Sequence, residues 1–251
     1  MGGNPTSFDG AVPDIVLKSV SLSYDDQMLF DRLSLVVDGG KCTCILGPSG
    51  CGKSTLLKVI ADNSSIPYGG SVHFGQIAER TGMIAWMAQN DLLLPWMTVI
   101  NNVMLGARLR GEKTSGLKAR AAALLDKAGL GEYREKLPGV LSGGMRQRVA
   151  LLRTLMEDRP VLLMDEPFSA LDALTRVVLQ NMAAEMTRGR TVLLVTHDPL
   201  EALRIADKII VFSDRPARIV AEFGPGGSPP REMDDQIMGR LYPFLLKKLL
   251  D

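Results

Sequence analysis

Gly47-Pro48-Ser49-Gly50-Cys51-Gly52-Lys53-Ser54-Thr55 is a complete G-x-x-x-x-G-K-[S/T] stretch, and its flanks say how it folds. The apolar run Cys42-Thr43-Cys44-Ile45-Leu46 before it reads as a buried strand; Lys53 to Ala61 after it reads as a helix. Strand, loop and helix in that order form the setting in which such a loop grips phosphate. Gly47, Gly50 and Gly52 let the backbone turn tightly and approach an anion without Cβ clashes. The exposed N–H groups then face inward at a helix N-terminus, whose dipole favours negative charge. Lys53 is placed to reach the β- and γ-phosphates of a nucleoside triphosphate. Ser54 offers a hydroxyl to Mg2+, and Thr55 is placed to bond the α-phosphate. Cys51 stands inside the loop with no histidine near it in sequence to activate it, and reads as small filler.

A second stretch completes the chemistry. Val161-Leu162-Leu163-Met164 is four apolar residues in a row, as expected of a strand covered on both faces in a parallel sheet. Asp165 follows at its C-terminal end, where open α/β sheets place ligands. It suits Mg2+, held through water. Glu166 points elsewhere and is the natural group to polarise an attacking water. Two adjacent carboxylates repel without a cation, so the pair makes most sense beside a metal. Thr191-Val192-Leu193-Leu194-Val195-Thr196 is another buried-strand run, and it puts His197 at a strand's C-terminal end as well. A lone histidine is more often structural; at this place it is expected to contact the γ-phosphate and to orient Glu166 or the water. His73, in Ser71-Val72-His73-Phe74, reads as a strand residue without chemistry.

These stretches, with Leu141-Ser142-Gly143-Gly144-Met145-Arg146-Gln147-Arg148 between them, resemble the ATP-binding subunit of an ATP-binding-cassette (ABC) transporter. The loop resembles the family's Walker A motif and the acidic strand its Walker B motif. The Ser142 stretch resembles the defining signature, and Ser169-Ala170-Leu171-Asp172 the D-loop. Gln89 falls at the Q-loop glutamine and His197 at the switch histidine. Tyr24 is similar to the aromatic that stacks on adenine, though a surface aromatic at a strand end reads equally. The resemblance covers roughly residues 14 to 222. It implies ATP and Mg2+ as ligands, with Ser54, Gln89 and Asp165 at the metal and Glu166, His197 and Lys53 catalytic. It implies a nucleotide site built from Tyr24, Gly47 to Thr55, Gln89, Ser142, Gly143, Gly144 and Asp172. A serine at a helix N-terminus with glycines beside it is a second anion site or a plain cap. In the family, the signature of one copy covers the γ-phosphate held by the other, so two ATP molecules are sandwiched in a head-to-tail dimer.

The fold class this implies is α/β: a P-loop NTPase core of mainly parallel sheet with flanking helices, an antiparallel β layer and an α-helical subdomain. One ABC ATP-binding domain spans residues 1–251, with a RecA-like core and antiparallel layer at 14–90 and 158–223. The helical subdomain is expected at 91–157, and a C-terminal hinge and helix at 224–251. Along the chain, Ile15 to Val37 reads as two β-rich segments with a turn at Asp25-Asp26. Gly69 to Phe74 and Met83 to Trp86 read as short strands. Ala119 to Ala128, Gly143 to Glu157, Ala173 to Arg188 and Pro199 to Ile205 read as helices; Lys208 to Phe212 and Arg218 to Phe223 read as strands. Gly224 to Pro230 reads as a flexible hinge, and Arg231 to Leu250 as an amphipathic helix broken near Pro243.

Composition narrows the class. With 251 residues the chain can bury one sizeable core, and 29 basic against 28 acidic residues leave a net charge of +1. No polybasic run is present, so no nucleic-acid partner is expected. Cys42, Cys44 and Cys51 cluster in one strand and its loop, which suits a reducing cytoplasm rather than a disulfide framework. No signal peptide is read in the first residues, and no apolar run approaches the ~20 residues that cross a bilayer. Any pore is therefore expected on another chain.

Partners follow from the resemblance: a second copy, integral membrane permease subunits and, indirectly, a periplasmic solute-binding protein, with this chain peripheral on the cytoplasmic face of the inner membrane. Leu92-Leu93-Leu94-Pro95-Trp96-Met97 follows Gln89, and such an apolar run in a loop either docks a permease helix or fills the subdomain's own core. Leu93 to Val103 and Phe212 to Val220 resemble stretches of one bacterial importer group. That group takes nitrate, alkanesulfonates, taurine and thiamine-precursor pyrimidines. An ABC ATPase without a transport role, another type of ABC importer or exporter, a GTPase switch and a nucleotide-binding module without turnover are the rival readings. No Asn/Thr-Lys-x-Asp guanine-reading motif is present, and Glu166 and His197 speak for turnover.

Overall fold

The computed structural model describes residues 12–24, 27–62, 66–77, 80, 82–112 and 114–250. The turn expected at Asp25-Asp26 lies outside the described residues. The chain divides into two compact units. The first comprises the described residues of Met1–Ile84, Arg159–Glu166 and Thr187–Asp251; the second comprises Ala85–Asp158 and Pro167–Met186.

Within the first unit, strands β1 (Ile15–Tyr24), β2 (Gln27–Val37) and β4 (Gly69–Phe74) form an antiparallel sheet ordered β2-β1-β4. A second sheet contains β3 (Cys42–Leu46), β6 (Val161–Asp165), β7 (Thr191–Val195), β8 (Lys208–Phe212) and β9 (Ile219–Phe223). Their order is β6-β7-β3-β8-β9. The first four are parallel, and β9 runs antiparallel to β8. All five residues of β6 and of β7 are buried, as unbroken apolar runs in a doubly covered sheet require. Helices α1 (Lys53–Ile60) and α7 (Pro199–Ile205) follow β3 and β7. Helix α8 (Gln236–Leu250) packs on α7 and β8.

Two expectations change here. Pro243 lies inside α8 and does not break it. A proline removes its own N–H and crowds the carbonyl four residues back. That residue is Gly239, and both positions are exposed, so the freed carbonyl is open to solvent. The Gly/Pro-rich segment before α8 is no free hinge either. The Arg231 guanidinium, 3 % exposed, donates to Leu203 O at 2.6 Å, Ala206 O at 2.9 Å and Gly226 O at 2.6 Å. A cation thus satisfies the orphan carbonyls at the C-terminal end of α7.

The second unit is helical: α2 (Val99–Val103), α3 (Leu105–Leu109), α4 (Thr114–Lys127), α5 (Gly143–Met156) and α6 (Ala173–Met186). Val99, Val103, Ala121, Leu125, Val149 and Leu152 supply its buried core. Strand β5 (Ile84–Met87), one residue later than read from the sequence, starts at the division between the units. Helix α6 belongs to this unit, which the sequence reading had placed in the core.

The apolar run after Gln89 splits in two. Leu93 is 9 % exposed and joins the core, whereas Leu92 and Trp96 are 62 % and 73 % exposed. Asn102, fully buried, sets that division. Its carbonyl oxygen accepts from the Leu94 N–H at 2.8 Å, and its amide donates to Leu94 O, Met97 O and Thr98 O at 3.0–3.1 Å. Replacing Asn102 with alanine is expected to cost about 2–3 kcal/mol, because several buried backbone groups lose their partner together. Urea unfolding of the full chain reads the loss, and hydrogen exchange at Leu94 reads its location. An unchanged midpoint would show that the loop is held by something else.

Candidate nucleotide site

The site is assembled by strand register. In the parallel pairs, Ile45 lies beside Val195 and Val195 beside Asp165. The phosphate loop, Asp165, Glu166 and His197 therefore leave one edge of one sheet, within the first unit. This is the carboxyl end of the strands, where helix N-termini and loops leave room for a ligand.

The loop is built as a cradle. Gly52 precedes α1 with φ 111°, and no side chain caps that helix, so its first N–H groups stay open to an anion. A methyl on Gly52 would meet the Phe30 ring at 2.9 Å, so only glycine permits β2 to support the loop this closely. Lys53 is 7 % exposed, and its ammonium donates to Gly47 O at 2.7 Å and Pro48 O at 2.8 Å. It is thus already drawn across the loop. Cys51 is fully buried, and burial pushes its thiol above the ordinary range, which makes it packing rather than a nucleophile.

Asp165 is 4 % exposed and hydrogen-bonded to Ser54, while its Oδ1 has no partner. An orphaned carboxylate oxygen next to a hydroxyl is a donor set for a hard, oxygen-seeking cation. Among the described residues no group of three or more His, Cys, Asp or Glu could hold a metal by itself. A cation here would take its remaining ligands from phosphate and water.

Glu166 occupies the left-handed region at φ 51°, and its N–H donates to Val195 O at 2.9 Å. A non-glycine residue held there costs on the order of 1–3 kcal/mol, a strain typical of functional positions. His197 Nδ1 lies 2.8 Å from both Glu166 carboxylate oxygens. A carboxylate only accepts, so Nδ1 carries the hydrogen in this contact. The Glu166 side chain is 12 % exposed and that of His197 62 %, so the carboxylate is recessed and the imidazole faces outward.

Tyr24 ends β1, opposite Gln27 in the register and 67 % exposed, with its ring free to stack. His73 lies in β4 with Nε2 2.9 Å from Ser71 Oγ, at a distance from any of this chemistry in the chain.

The second unit holds Gln89, Ser142, Gly143, Gly144 and Asp172. Gln89 is exposed. Ser142 caps α5, its Oγ accepting from the Met145 N–H at 3.3 Å. A methyl on Gly144 would meet Ala170 O at 2.8 Å, so this glycine lets the Ser169–Asp172 segment approach α5. Gly143 faces open space up to 4.0 Å, and nothing within the unit demands a glycine there. Asp172 accepts from the Thr175 N–H at 3.0 Å, and that bond holds its carboxyl below the ordinary range. It caps α6, a role the sequence reading did not assign.

Gln147 was also missed. It is 6 % exposed, accepts from the Ala170 N–H at 2.7 Å and donates to Ser169 Oγ at 3.1 Å. The available signal was a polar residue on the helix face that also carries Gly143 and Leu151. Arg146 and Arg153 fasten α5 to Asp91 and Leu92 just after Gln89. Arg215 was missed as well; it donates to Gly50 O.

Desolvation raises the Asp165 carboxyl, against the Ser54 hydrogen bond and the Lys53 and Lys58 charges, which lower it. A carboxyl raised on folding costs stability wherever it is ionised in the folded chain, and the cost fades as pH falls through its range. Asp165→Asn is therefore expected to raise the melting temperature of the nucleotide-free protein by about 2–4 °C at pH 8. The gain shrinks as pH falls through the carboxyl's range, and magnesium-dependent nucleotide binding is lost. Scanning calorimetry across that pH range measures it; an equal or lower melting temperature at pH 8 would contradict the assignment.

Comparison with known proteins gives the same picture. The family described as ABC transporter matches residues 30–169. The chain is 40% identical over 236 residues to an ABC transporter ATP-binding protein of Haemophilus influenzae, spanning 93% of this chain and 97% of that one. It is 40% identical over 221 residues to the taurine import ATP-binding protein TauB of Jannaschia sp., 83% and 81% of the two chains. It is 38% identical over 248 residues to the aliphatic sulfonates import ATP-binding protein SsuB 2 of Burkholderia lata, 96% and 88%. Among solved structures, the dimeric bacterial ABC transporter cassette MJ0796 matches with a TM-score of 0.74 at 28% identity, covering 85% of this chain and 99% of that one. The same cassette in a post-hydrolysis state with ADP and Pi gives 0.73. With the fold, the phosphate loop and the acidic strand in place, the chain belongs to the ABC transporter ATP-binding proteins.

Proposed function

We propose that this chain binds and hydrolyses ATP to power import of a small solute across a bacterial inner membrane. The observation that carries the reading is the set of groups at one sheet edge: an open helix N-terminus, Lys53, the Ser54–Asp165 pair and the Glu166–His197 pair. The solute class is that of nitrate, sulfonates, taurine or pyrimidines. The relatives named for taurine import and for aliphatic sulfonates import favour the sulfonates within it.

In this reading the α1 N–H groups and Lys53 hold the β- and γ-phosphates, and Thr55 bonds the α-phosphate. Tyr24 stacks on adenine. Ser54 and Asp165 would hold Mg2+, which when bound neutralises charge on the phosphates. Glu166 accepts a proton from the attacking water as the water oxygen bonds to the γ-phosphorus and the bond to the bridging oxygen breaks. ADP and phosphate leave. His197 keeps the carboxylate aimed through Nδ1–H and, as the imidazolium, donates Nε2–H to a γ-phosphate oxygen. Positioning and electrostatics supply most of the rate, as phosphoryl transfer demands.

Two copies sandwich the nucleotides, with Ser142, Gly143, Gly144 and Asp172 of each reaching the ATP held by the other. The open surroundings of Gly143 support that role. The exposed Leu92 and Trp96 suit a helix of a membrane permease subunit, with the chain peripheral on the cytoplasmic side. No helix among the described residues is long and apolar enough to cross a membrane.

Glu166→Gln tests the assignment. It is expected to leave MgATP binding intact and to lower turnover by about 10²–10⁴-fold, the usual contribution of a general base. Equilibrium binding and a phosphate-release assay on the same preparation read both quantities. Near-normal turnover would move the base elsewhere.

A further inference from the structure

The turn between β8 and β9 reaches the phosphate loop through one side chain. Arg215 donates from Nε to the Gly50 carbonyl at 2.6 Å and from Nη1 to Gln27 Oε1 at 2.7 Å. Its Nη2 lies over the loop, 3.1 Å from where a Gly50 methyl would stand. The backbone carrying it is fixed independently. The Ala217 N–H donates to Leu29 O at 2.8 Å, Phe30 and Ala217 form a parallel bridge, and the Ser213 N–H donates to Arg218 O at 2.9 Å. The Arg215 N–H itself donates to Asp214 Oδ1 at 2.8 Å. The guanidinium is therefore a preorganised fork joining the tip of the phosphate loop to the start of β2.

A fork on that carbonyl has a consequence for the neighbouring N–H. In a trans peptide the C=O and the following N–H point in opposite directions. Holding Gly50 O outward turns the Cys51 N–H the other way. That N–H meets Pro48 O at 3.4 Å, the long limit of a hydrogen bond. Lys53 Nζ donates to the same oxygen at 2.8 Å, so the Cys51 N–H and the Lys53 ammonium face a common space. Were the peptide flipped, a carbonyl oxygen would face the phosphates and repel them.

We infer that Arg215 is a positioning residue for nucleotide binding: it locks the 50–51 peptide so that the Cys51 N–H faces into the phosphate cradle. It acts through the loop: Nε is committed to Gly50 O and Nη1 to Gln27. Gln27 sits opposite Tyr24 in the β1–β2 register, so the brace also links the strand end bearing Tyr24 to the loop.

The test uses the full-length protein, titration calorimetry with MgADP and steady-state turnover of MgATP. Arg215→Ala is expected to raise the Kd for MgADP and the KM for ATP about tenfold, with kcat within about twofold, the pattern of lost binding without lost chemistry. Arg215→Lys, which keeps one donor, recovers part of the loss. Gln27→Ala, an exposed change that leaves the core intact, raises Kd about threefold and adds nothing to Arg215→Ala in the double variant. Unchanged Kd in Arg215→Ala or in Gln27→Ala would overturn the proposal. So would a fall in kcat at unchanged KM, or an Arg215→Lys protein no better than Arg215→Ala.

Discussion

Parallel register between three buried strands is the constraint on which the rest depends. Because β3, β7 and β6 pair with Ile45, Val195 and Asp165 at neighbouring ends, every group emerging one or two residues later leaves the same edge. All residues of β6 and β7 are buried. In an antiparallel pair a slip would exchange a wet face for a dry one; here both faces are dry, and the ladder bonds together with packing on either side hold the strands in place. The chemistry of the edge is a product of apolar burial well below it.

The edge itself is where the chain gives up stability. Glu166 sits in the left-handed region, Asp165 leaves a buried oxygen without a partner, and α1 has no capping side chain. Each feature is unfavourable for an isolated fold and useful to a ligand that brings phosphate and a cation. The costs are local. One residue away, Val195 accepts from the Glu166 N–H, and the surrounding strands show no comparable irregularity in their parallel pairing. Arg215 fits the same pattern from the other side, holding one peptide of the cradle in the orientation that an empty loop has little reason to keep.

Much of this was legible in the sequence. Largely apolar runs before Gly47, Asp165 and His197 gave three parallel strands to within a residue, because strands covered on both faces carry few polar side chains. Lys53, Asp165 and Glu166 were legible because their spacing from those strands is short. What escaped were contacts between segments far apart in the chain. Nothing in Ser213 to Arg218 signals that its arginine reaches Gly50, 165 residues away. A short-range role also escaped: Asn102 holds four backbone groups of a preceding loop, and the sequence reading gave it no part. Pro243 was read as a helix break because a propensity rule takes no account of exposure, and Gly239 and Pro243 are both exposed. The apolar run at Leu92 to Met97 left two readings open; Leu93 joins the subdomain's core, while Leu92 and Trp96 stay exposed.

The central claim is that the edge formed by Lys53, Ser54, Asp165, Glu166 and His197 receives the triphosphate. A crystal structure of the protein with Mg2+ and a non-hydrolysable ATP analogue tests it most directly. The account predicts that Lys53 Nζ leaves the Gly47 and Pro48 carbonyls for phosphate oxygens and that Asp165 Oδ1 turns to the cation or its water. Glu166 should keep its left-handed backbone with His197 at its side. Triphosphate bound away from this edge, or Lys53 still on its own loop carbonyls with the analogue in place, would contradict it.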